Sequence, residues 1–401
     1  MIPLPDNYRR NISLLFCLAL LLAHFVLAGQ IVKHGSLAFS RIIMPRLELS
    51  FIIDGFALLV SFALSLGIFF IVLSCRDYFE KKEEQDNFYP GIILFNMAVC
   101  GAVFSGSLFL TLYFLILALI SSLALSGRKS AIGLLGLVFF LAGIIFVSRD
   151  HGSGISAYLF LAGLLLISFE LLSAGGPLFK LLPLAILVQL AAYLAIRIFN
   201  LTVIATPLFS KITVILGMTI ALLGSSAAFW QQNLSKALMY SVFSQFGYLL
   251  IFISFGQELL LPAAAYMIAY IIANTGLFLA LAAKERAFSF PGAALAYILC
   301  AFSIIGIPPF FGFWPKMAIE LSELKTGHIL VPMLSIMVAL FSLLYLMRIF
   351  NKVFLAGPKA KDTGVLSGRS MVLAALTAGM ISLFFGICAR LPVNFISGIL
   401  K

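Results

Sequence analysis

A lysine beside helix-breaking residues is the feature of this 401-residue sequence with the clearest chemical potential. Lys316 closes the segment GIPPFFGFWPK, whose helix breakers are Gly306, Pro308 and Pro309. Proline lacks the backbone N–H that a helix uses, and lipid offers no partner to the carbonyls that a break leaves free. A buried lysine both accepts and releases protons, so the pattern predicts a proton-carrying site in a hydrated break. The alternative is that Lys316 snorkels to the membrane interface, helped by Trp314.

Glu170 lies in a second segment of the same kind, LLLISFELLSAGGPLFK. Apolar residues flank it on both sides, and the helix breakers Gly175, Gly176 and Pro177 follow it. A carboxylate inside an apolar run is expensive to place in a membrane and usually has a function there. The segment therefore predicts a second ionisable site at a break, and a buried ion pair between Glu170 and Lys180 is the alternative.

Polar side chains crowd a third segment, AAFWQQNLSKALMYSVFSQFGYLL. Asn233 is placed to cap the helix that follows, and Lys236 adds a charge near its start. Tyr240, Ser244 and Tyr248 have the spacing i, i+4, i+8 and share one helix face. Such a stripe of hydroxyls predicts a path that holds water and relays protons, while hydrogen bonds to a neighbouring helix are the alternative.

The composition shows what must position these residues. The chain is 63% hydrophobic and 10% charged, with a mean hydropathy of +1.15, whereas a soluble domain has about 25% charged residues. The net charge of +11 comes from short loops between apolar runs, so it predicts membrane topology and contact with anionic lipid, not nucleic acid. The five cysteines form no C-x-x-C pair, and no G-x-G-x-x-G is present, so we expect no disulfide framework, metal or cofactor.

About thirteen apolar runs are long enough to cross a bilayer, which predicts an all-α polytopic integral membrane protein. Ser105-Gly106-Ser107 divides the longest run, 90–126, into two spans. A span is also expected over 50–74. We expect the first run, 12–28, to be retained as a span and not removed as a signal peptide.

Loop charge predicts the orientation in the cell membrane. Most lysines and arginines fall on the side of the N-terminus, including those of the loops 76–87 and 351–369. Because cytoplasmic loops carry the excess of positive charge, we expect the N-terminus in the cytoplasm. An odd number of spans then places the C-terminus on the opposite side.

Two of these segments resemble signatures of the antiporter-like proton-channel subunits of respiratory complex I, membrane-bound hydrogenases and Mrp-type sodium/proton antiporters. NLSKALMYSVFSQFGY resembles D-L-K-R-L-L-A-Y-S-S-I-S-Q-M-G, and FSIIGIPPFFGFWPKMAIE is similar to S-L-x-G-I-P-P-x-x-G-F-x-x-K. Asp54-Gly55 resembles the start of a D-G-L-S span. The likeness extends from about Leu47 to Phe350, and the segment that contains Lys316 is the specific match.

The resemblance implies two inverted five-helix repeats, each with a broken helix and a central ionisable residue. Glu170 and Lys316 would then be the matching pair. The whole chain would be a single antiporter-like membrane domain. Its expected parts are N-terminal helices over 1–89, a first repeat over 90–198, a second repeat over 199–350, and a C-terminal loop and helix over 351–401.

Three positions depart from the family pattern. Ile116 falls where the family has the glutamate of a W-E-L motif. Gln189, four residues before Tyr193, replaces a lysine, and Asn274 ends the segment YIIAN where the family has H-x-x-x-K. Because an isoleucine or an amide cannot titrate, the resemblance predicts a degenerate first half-channel.

The function implied is that of an antiporter-like membrane subunit in a complex I-related assembly. It would help couple redox or ion-gradient energy to proton or sodium translocation. We expect a non-catalytic subunit of an NADH/quinone-oxidoreductase-like or hydrogenase-like complex, with other membrane subunits and lipid as partners. A non-pumping structural spacer and a membrane partner in bicarbonate uptake are the alternatives.

Overall fold

The structure is a computed structural model that describes residues 6–44, 47–79, 82–127, 132–150, 154–169, 176–202, 207–254, 259–285, 291–325, 329–355 and 368–400. Fifteen helices, α1 to α15, occupy this part of the chain. Their bounds, in order, are Asp6–His34, Gly55–Tyr78, Lys82–Phe104, Leu108–Ser126, Ile132–Asp150, Gly154–Phe169, Leu178–Thr202, Pro207–Trp230, Leu234–Ser254, Leu260–Glu285, Pro291–Ile305, Phe313–Lys325, Leu330–Phe350, Arg369–Ile387 and Arg390–Leu400. A π-helical turn, Asn351–Leu355, follows α13.

The prediction of an all-α polytopic membrane protein is confirmed. Among the described residues, nine helices are long and apolar enough to span a bilayer, and three more contain shorter apolar stretches, 132–145, 158–169 and 291–305. Helix α9 has 21 residues and is also long enough to cross. The predicted division of 90–126 is confirmed too, because α3 ends at Phe104 and α4 begins at Leu108.

A β-hairpin, not expected from the hydropathy of the sequence, precedes α2. Strands β1 (Leu37–Met44) and β2 (Leu47–Ile53) pair antiparallel, so the expected span over 50–74 is wrong at its start. Gly106 N donates to the carbonyl of Ser50 at 2.7 Å, which fastens the hairpin to the α3–α4 turn. Asp54 then caps α2 by accepting from Ala57 N at 2.7 Å.

Helices α7 and α10 form the centre of the bundle and are almost wholly buried. Helix α10 packs against α2, α7, α9, α11, α12 and α14, while α7 packs against α4, α6 and α9. The periphery is formed by helices such as α1 and α13, which leave much of their apolar surface exposed, as expected of lipid-facing helices. Several polar residues of α9, α10, α12 and α13 are buried in this bundle, among them Gln245, Asn274, Lys316 and Ser335.

Two arginines stabilise helix ends in the same way at opposite ends of the bundle. Arg197, near the end of α7, donates to the carbonyl of Val103 at the end of α3, at 2.6 Å. Arg348, near the end of α13, donates to the carbonyls of Ala228, at 3.1 Å, and of Phe229 at the end of α8. A cation at a helix C-terminus satisfies free carbonyls and complements the helix dipole.

The turns that follow α3 and α8 are also alike. Each has three residues, and its last residue caps the next helix: Ser107 accepts from Leu110 N at 3.3 Å, and Asn233 accepts from Lys236 N at 3.2 Å. Ser235, at the start of α9, bonds the carbonyl of Gly176 just before α7 at 2.7 Å. The α8–α9 turn thus lies where α7 begins, and the α3–α4 turn lies where α7 ends. This inversion supports two inverted repeats.

The internal limits of these repeats stay a prediction. The limit at 89/90 falls inside α3, that at 198/199 inside α7, and that at 350/351 directly after α13. A repeat that begins with α3 and a repeat that begins with α8 would agree with the two arginine contacts.

Candidate functional site

The segment after α11 interrupts a helix that α12 resumes. Helix α11 ends at Ile305, and Gly306 takes a left-handed conformation with φ +86°, which glycine adopts without strain. In an unbroken helix the carbonyls of Ile304 and Ile305 would accept from residues 308 and 309. Both of those residues are prolines, so neither supplies an N–H.

The ammonium of Lys316 occupies the place of the two missing donors. Its Nζ donates to the carbonyl of Ile304 at 2.9 Å and to that of Ile305 at 3.1 Å. The Tyr270 hydroxyl also donates to Ile304, at 2.6 Å. The lysine is only 5% exposed, and its stem packs against Gly306. The Lys316 side chain therefore points into the bundle and does not extend to the protein surface, as snorkelling to the membrane interface would require.

Two tyrosine rings complete the surroundings of the ammonium. Nζ lies 5.0 Å from the centre of the Tyr248 ring and 5.4 Å from that of Tyr270. An aromatic face within about 6 Å attracts a cation. We call Lys316, Tyr248, Tyr270 and the two carbonyls the lysine site. It joins four consecutive helices, α9, α10, α11 and α12.

Helix α14 holds the break in place. Phe311 N donates to the carbonyl of Ser382 at 3.0 Å, and Trp314 Nε1 donates to that of Gly386 at 2.9 Å. A Cβ on Gly386 would lie 1.8 Å from the carbonyl oxygen of Pro309, so only glycine permits this approach. The irregular backbone is thereby enclosed by protein, as a membrane interior requires.

The hydroxyl stripe predicted on α9 is divided between two neighbours. Ser244 faces α8, where its Oγ donates to the carbonyl of Ala221 at 2.7 Å and a Cβ on Gly224 would lie 2.9 Å from its Cα. Tyr240 is half-buried, whereas Tyr248 reaches Lys316. The three residues therefore do not form one continuous path to the lysine, because close α8–α9 packing takes Ser244 away.

The face of α9 that does meet the site carries Ser241, Gln245 and Tyr248, spaced i, i+4, i+7. Ser241 is hydrogen-bonded to the Tyr345 hydroxyl. Gln245 Oε1 accepts from the Tyr266 hydroxyl at 2.8 Å. This face and the predicted stripe of Tyr240, Ser244 and Tyr248 have only Tyr248 in common.

Two buried stretches extend the lysine site on either side. The Tyr266 ring stacks on Tyr270 with centroids 4.1 Å apart, which links Gln245 to the site. On the other side, the Tyr248 hydroxyl lies 2.9 Å from Ser335 Oγ, and Ser335 Oγ donates to Glu320 Oε1 at 2.6 Å. These partners were not predicted from the sequence, although Tyr270 and Glu320 lie inside the segments YIIAN and FSIIGIPPFFGFWPKMAIE.

Three buried amides near the centre have at least one polar atom without a hydrogen-bond partner within the described residues. They are both polar atoms of Gln189, both polar atoms of Asn274, and Nε2 of Gln245. Leaving such a group unpaired costs about 1–3 kcal/mol, and buried water is the usual partner in a polar cavity. Gln189 and Asn274 are two of the three positions at which the sequence predicts the replacement of a titratable family residue.

The other predicted residues lie apart from the lysine site or outside the described residues. Ile116 is half-buried on α4 and packs against the core, and Lys236 is exposed at the start of α9. Glu170 and Gly175 fall in 170–175, outside the described residues. Lys180 bonds Glu84 Oε2 at 3.1 Å.

The residues before α7 retain one sign of a break. Gly176 has φ +141°, and Pro177 directly precedes α7. No group of three or more His, Cys, Asp or Glu side chains able to hold a metal occurs among the residues that the structure describes.

Residues 155–342 match the family described as NADH:quinone oxidoreductase/Mrp antiporter, transmembrane. A relative from Nitrosomonas europaea, the NADH-quinone oxidoreductase subunit N, is 28% identical over 161 residues, which cover 36% of this chain and 34% of that protein. A Na(+)/H(+) antiporter subunit of Alkalihalophilus pseudofirmus is 24% identical over 330 residues, which cover 68% of this chain and 67% of that one.

A solved Mrp complex from Dietzia sp. DQ12-45-1b contains a chain of the same fold. The two superpose with a TM-score of 0.81 at 18% identity, over 98% of this chain and 92% of the other. The lysine site and its partners on α9, α10, α12 and α13 all lie within the segment that the family matches. The expected resemblance is thus confirmed over residues 155–342, which match the model of the NADH:quinone oxidoreductase/Mrp antiporter transmembrane family.

Proposed function

We propose that this chain is an antiporter-like membrane subunit that helps couple redox or ion-gradient energy to proton or sodium translocation. One observation carries the proposal: an ammonium, 5% exposed, is held at a helix break by two carbonyls that prolines leave free. A charge inside a membrane protein is expensive, and its usual role is in an ion or proton path. The similarity to a NADH-quinone oxidoreductase subunit and to a Na(+)/H(+) antiporter subunit agrees with this role.

Water at the three unpaired amides would connect the lysine site to the first half of the chain. Gln189 lies on α7, Asn274 on α10 and Gln245 on α9, and these helices pack against one another. An amide both donates and accepts hydrogen bonds, so it can hold a water but cannot store a proton. Lys316 is therefore the proton-storing group of the second half.

The first half is proposed to be degenerate. Ile116 has no ionisable group, and Gln189 replaces a lysine of the family pattern. Neither side chain could bind and release a proton. Glu170 remains the acidic residue proposed for this half. Proton or sodium movement would then pass through the second half alone.

The same substitutions favour a second candidate, a non-pumping spacer between other membrane subunits. The unpaired amides of Gln189 and Asn274 would then be remnants of a lost path. The two candidates differ in whether Lys316 must change its protonation state.

The partners proposed are other membrane subunits and lipid, in the cell membrane, with the N-terminus in the cytoplasm. The end of the bundle that holds the N-terminus also holds Lys180, Lys236, Arg348 and Lys352. This agrees with the positive-inside rule.

The test replaces Lys316 in the assembled complex reconstituted in vesicles. Lys316→Met should abolish ion uptake per turnover and also lower thermal stability, because two carbonyls lose their donor. Lys316→Arg should retain donors for the carbonyls but still abolish uptake, since guanidinium does not release its proton. Lys325→Met, an exposed change on the same helix, is the control and should be silent. Unchanged ion stoichiometry in both Lys316 variants would reject translocation and favour the spacer.

A further inference from the structure

We infer that Glu320 receives the proton that Lys316 releases, through the hydroxyls of Tyr248 and Ser335, and passes it to the end of the bundle opposite the N-terminus. The inference rests on the proposed function and assigns one branch of the path. Neither the family pattern nor the sequence spacing gave Glu320 or Ser335 a role.

The hydrogen bonds of this branch have one consistent direction. An ionised carboxylate only accepts, so the single proton of Ser335 is committed to Glu320 Oε1, at 2.6 Å. The Ser335 oxygen is then left to accept from the Tyr248 hydroxyl, at 2.9 Å. The Tyr248 hydroxyl also donates to the Ser335 carbonyl at 3.3 Å, but the contact with Ser335 Oγ is the shorter one. With Tyr248 donating to that Oγ, both hydroxyl protons point away from the lysine site and towards Glu320. From Tyr248 to Glu320 the hydrogen bonds are therefore continuous, as a proton relay needs. The step from Lys316 to Tyr248 requires the ammonium to move.

The first and last members of this hydrogen-bonded series, Tyr248 and Glu320, lie where a proton relay would begin and end. Tyr248 begins it, since the Lys316 ammonium lies over its ring at 5.0 Å. Glu320 follows Lys316 by one helical turn on α12, about 6 Å along the axis towards the end of that helix. Tyr248 and Ser335 are buried, whereas Glu320 is half-buried. The branch therefore leads from an enclosed cation to a more accessible carboxylate.

Tyr270, the other tyrosine beside Lys316, does not offer a competing branch. Its hydroxyl proton is directed at the carbonyl of Ile304, at 2.6 Å, and a carbonyl cannot pass a proton on. Tyr270 thus positions the break and stacks on Tyr266. Of the two tyrosines, only Tyr248 is hydrogen-bonded to a hydroxyl that continues to a carboxylate.

The transfer balances without a co-reactant. Movement of the flexible lysine stem brings the ammonium to the Tyr248 oxygen, where an N–H bond breaks and a new O–H bond forms. The Tyr248 proton passes to Ser335, and the Ser335 proton passes to Glu320. The products are a neutral amine and a neutral carboxylic acid. Glu320 then loses its proton at the accessible end, the hydroxyls rotate back, and Lys316 is recharged from the opposite side.

The experiment measures proton uptake per turnover in vesicles that contain the whole complex, for single variants with assembly checked by co-purification. Glu320→Gln and Ser335→Ala should each lower coupled proton uptake by about a hundredfold, a usual contribution of a positioned proton-transfer group. Tyr248→Phe, which retains the ring beside Lys316, should do the same. Ser335→Thr and Glu320→Asp retain the hydroxyl and the carboxylate and should recover most of the uptake. Ser226→Ala removes an exposed hydroxyl on α8 and should be silent.

The outcomes separate this branch from the proposed function. If Lys316→Met abolishes uptake while Glu320→Gln and Ser335→Ala retain it, the branch is refuted and the function stands. If Lys316→Met has no effect, the function fails and the branch fails with it. A loss of sodium affinity in Glu320→Gln at unchanged proton uptake would also overturn the relay, because it would make the carboxylate a cation ligand.

Discussion

At the scale of single residues, the lysine site shows how much one segment can specify. Pro308 and Pro309 remove two donors, and Lys316, seven residues further on, supplies the replacement. The prolines that remove backbone N–H donors and the lysine that replaces them belong to one short segment. The break and its lysine were therefore predictable from the sequence. Ser335 and Tyr270 lie on other helices, and which helices meet is decided by packing, so their contacts were not predictable from spacing.

Ile116 provides a residue-scale prediction about the first half of the chain. Ile116→Glu should create no proton flux and should lower stability, because an isolated carboxylate packed against the core must be desolvated or stay protonated. Thermal unfolding of the purified subunit and proton flux in vesicles are the two measurements. The control is Ile116→Gln, because glutamine has the size of glutamate without its charge. This variant should also create no proton flux. New flux with wild-type stability in Ile116→Glu alone would show that the first half-channel is still assembled.

At the scale of helices and strands, hydropathy predicted where the chain crosses the membrane but not every element. The hairpin was missed because the run that contains β2 continues directly into the apolar sequence of α2, so length alone favoured one span. On α9 the helical period favoured the face with Tyr240, Ser244 and Tyr248, whereas Gln245 lies on an adjacent face. Only the close approach of Gly224 on α8 decides that Ser244 serves packing.

The contact between α14 and the break gives the element-scale prediction. Gly386→Ala should destabilise the protein by about 1–3 kcal/mol, the usual effect of overpacking, because the added methyl would meet the Pro309 carbonyl. It should also lower ion uptake, since the break that positions Lys316 must shift. Thermal unfolding in detergent and ion uptake in vesicles test the two effects. Gly29→Ala, where an added Cβ has no neighbour within 4 Å, is the matched control. Equal stability of the two variants would contradict the role given to α14.

At the scale of the whole molecule, the inverted orientation of the two halves and the charge of the loops together determine where the proposed proton path leads. Arg197 and Arg348 donate to carbonyls at helix ends on opposite sides of the bundle. The same contact therefore occurs in both halves with opposite orientation in the membrane. The branch from Lys316 to Glu320 leads away from the end that holds the N-terminus. If that end is cytoplasmic, the branch delivers protons to the outside. The orientation therefore decides the direction of transport.

Cysteine labelling in intact cells tests this orientation. Cys388 would be replaced by serine, because the other four native cysteines are buried and protected from reagent. Asn87→Cys and Leu355→Cys, both exposed at the N-terminal end, should resist a membrane-impermeant maleimide until the cells are permeabilised. His34→Cys, exposed at the opposite end, should react at once.

The physical reason for that outcome is the excess of lysine and arginine beside Asn87 and Leu355, which is retained in the cytoplasm during insertion. The strain with only Cys388→Ser gives the background, and labelling after permeabilisation shows that each new thiol is reactive. Immediate labelling of Asn87→Cys and Leu355→Cys with protection of His34→Cys would reverse the orientation. Glu320 would then face the cytoplasm, and the branch that begins at Lys316 would serve proton uptake instead of release.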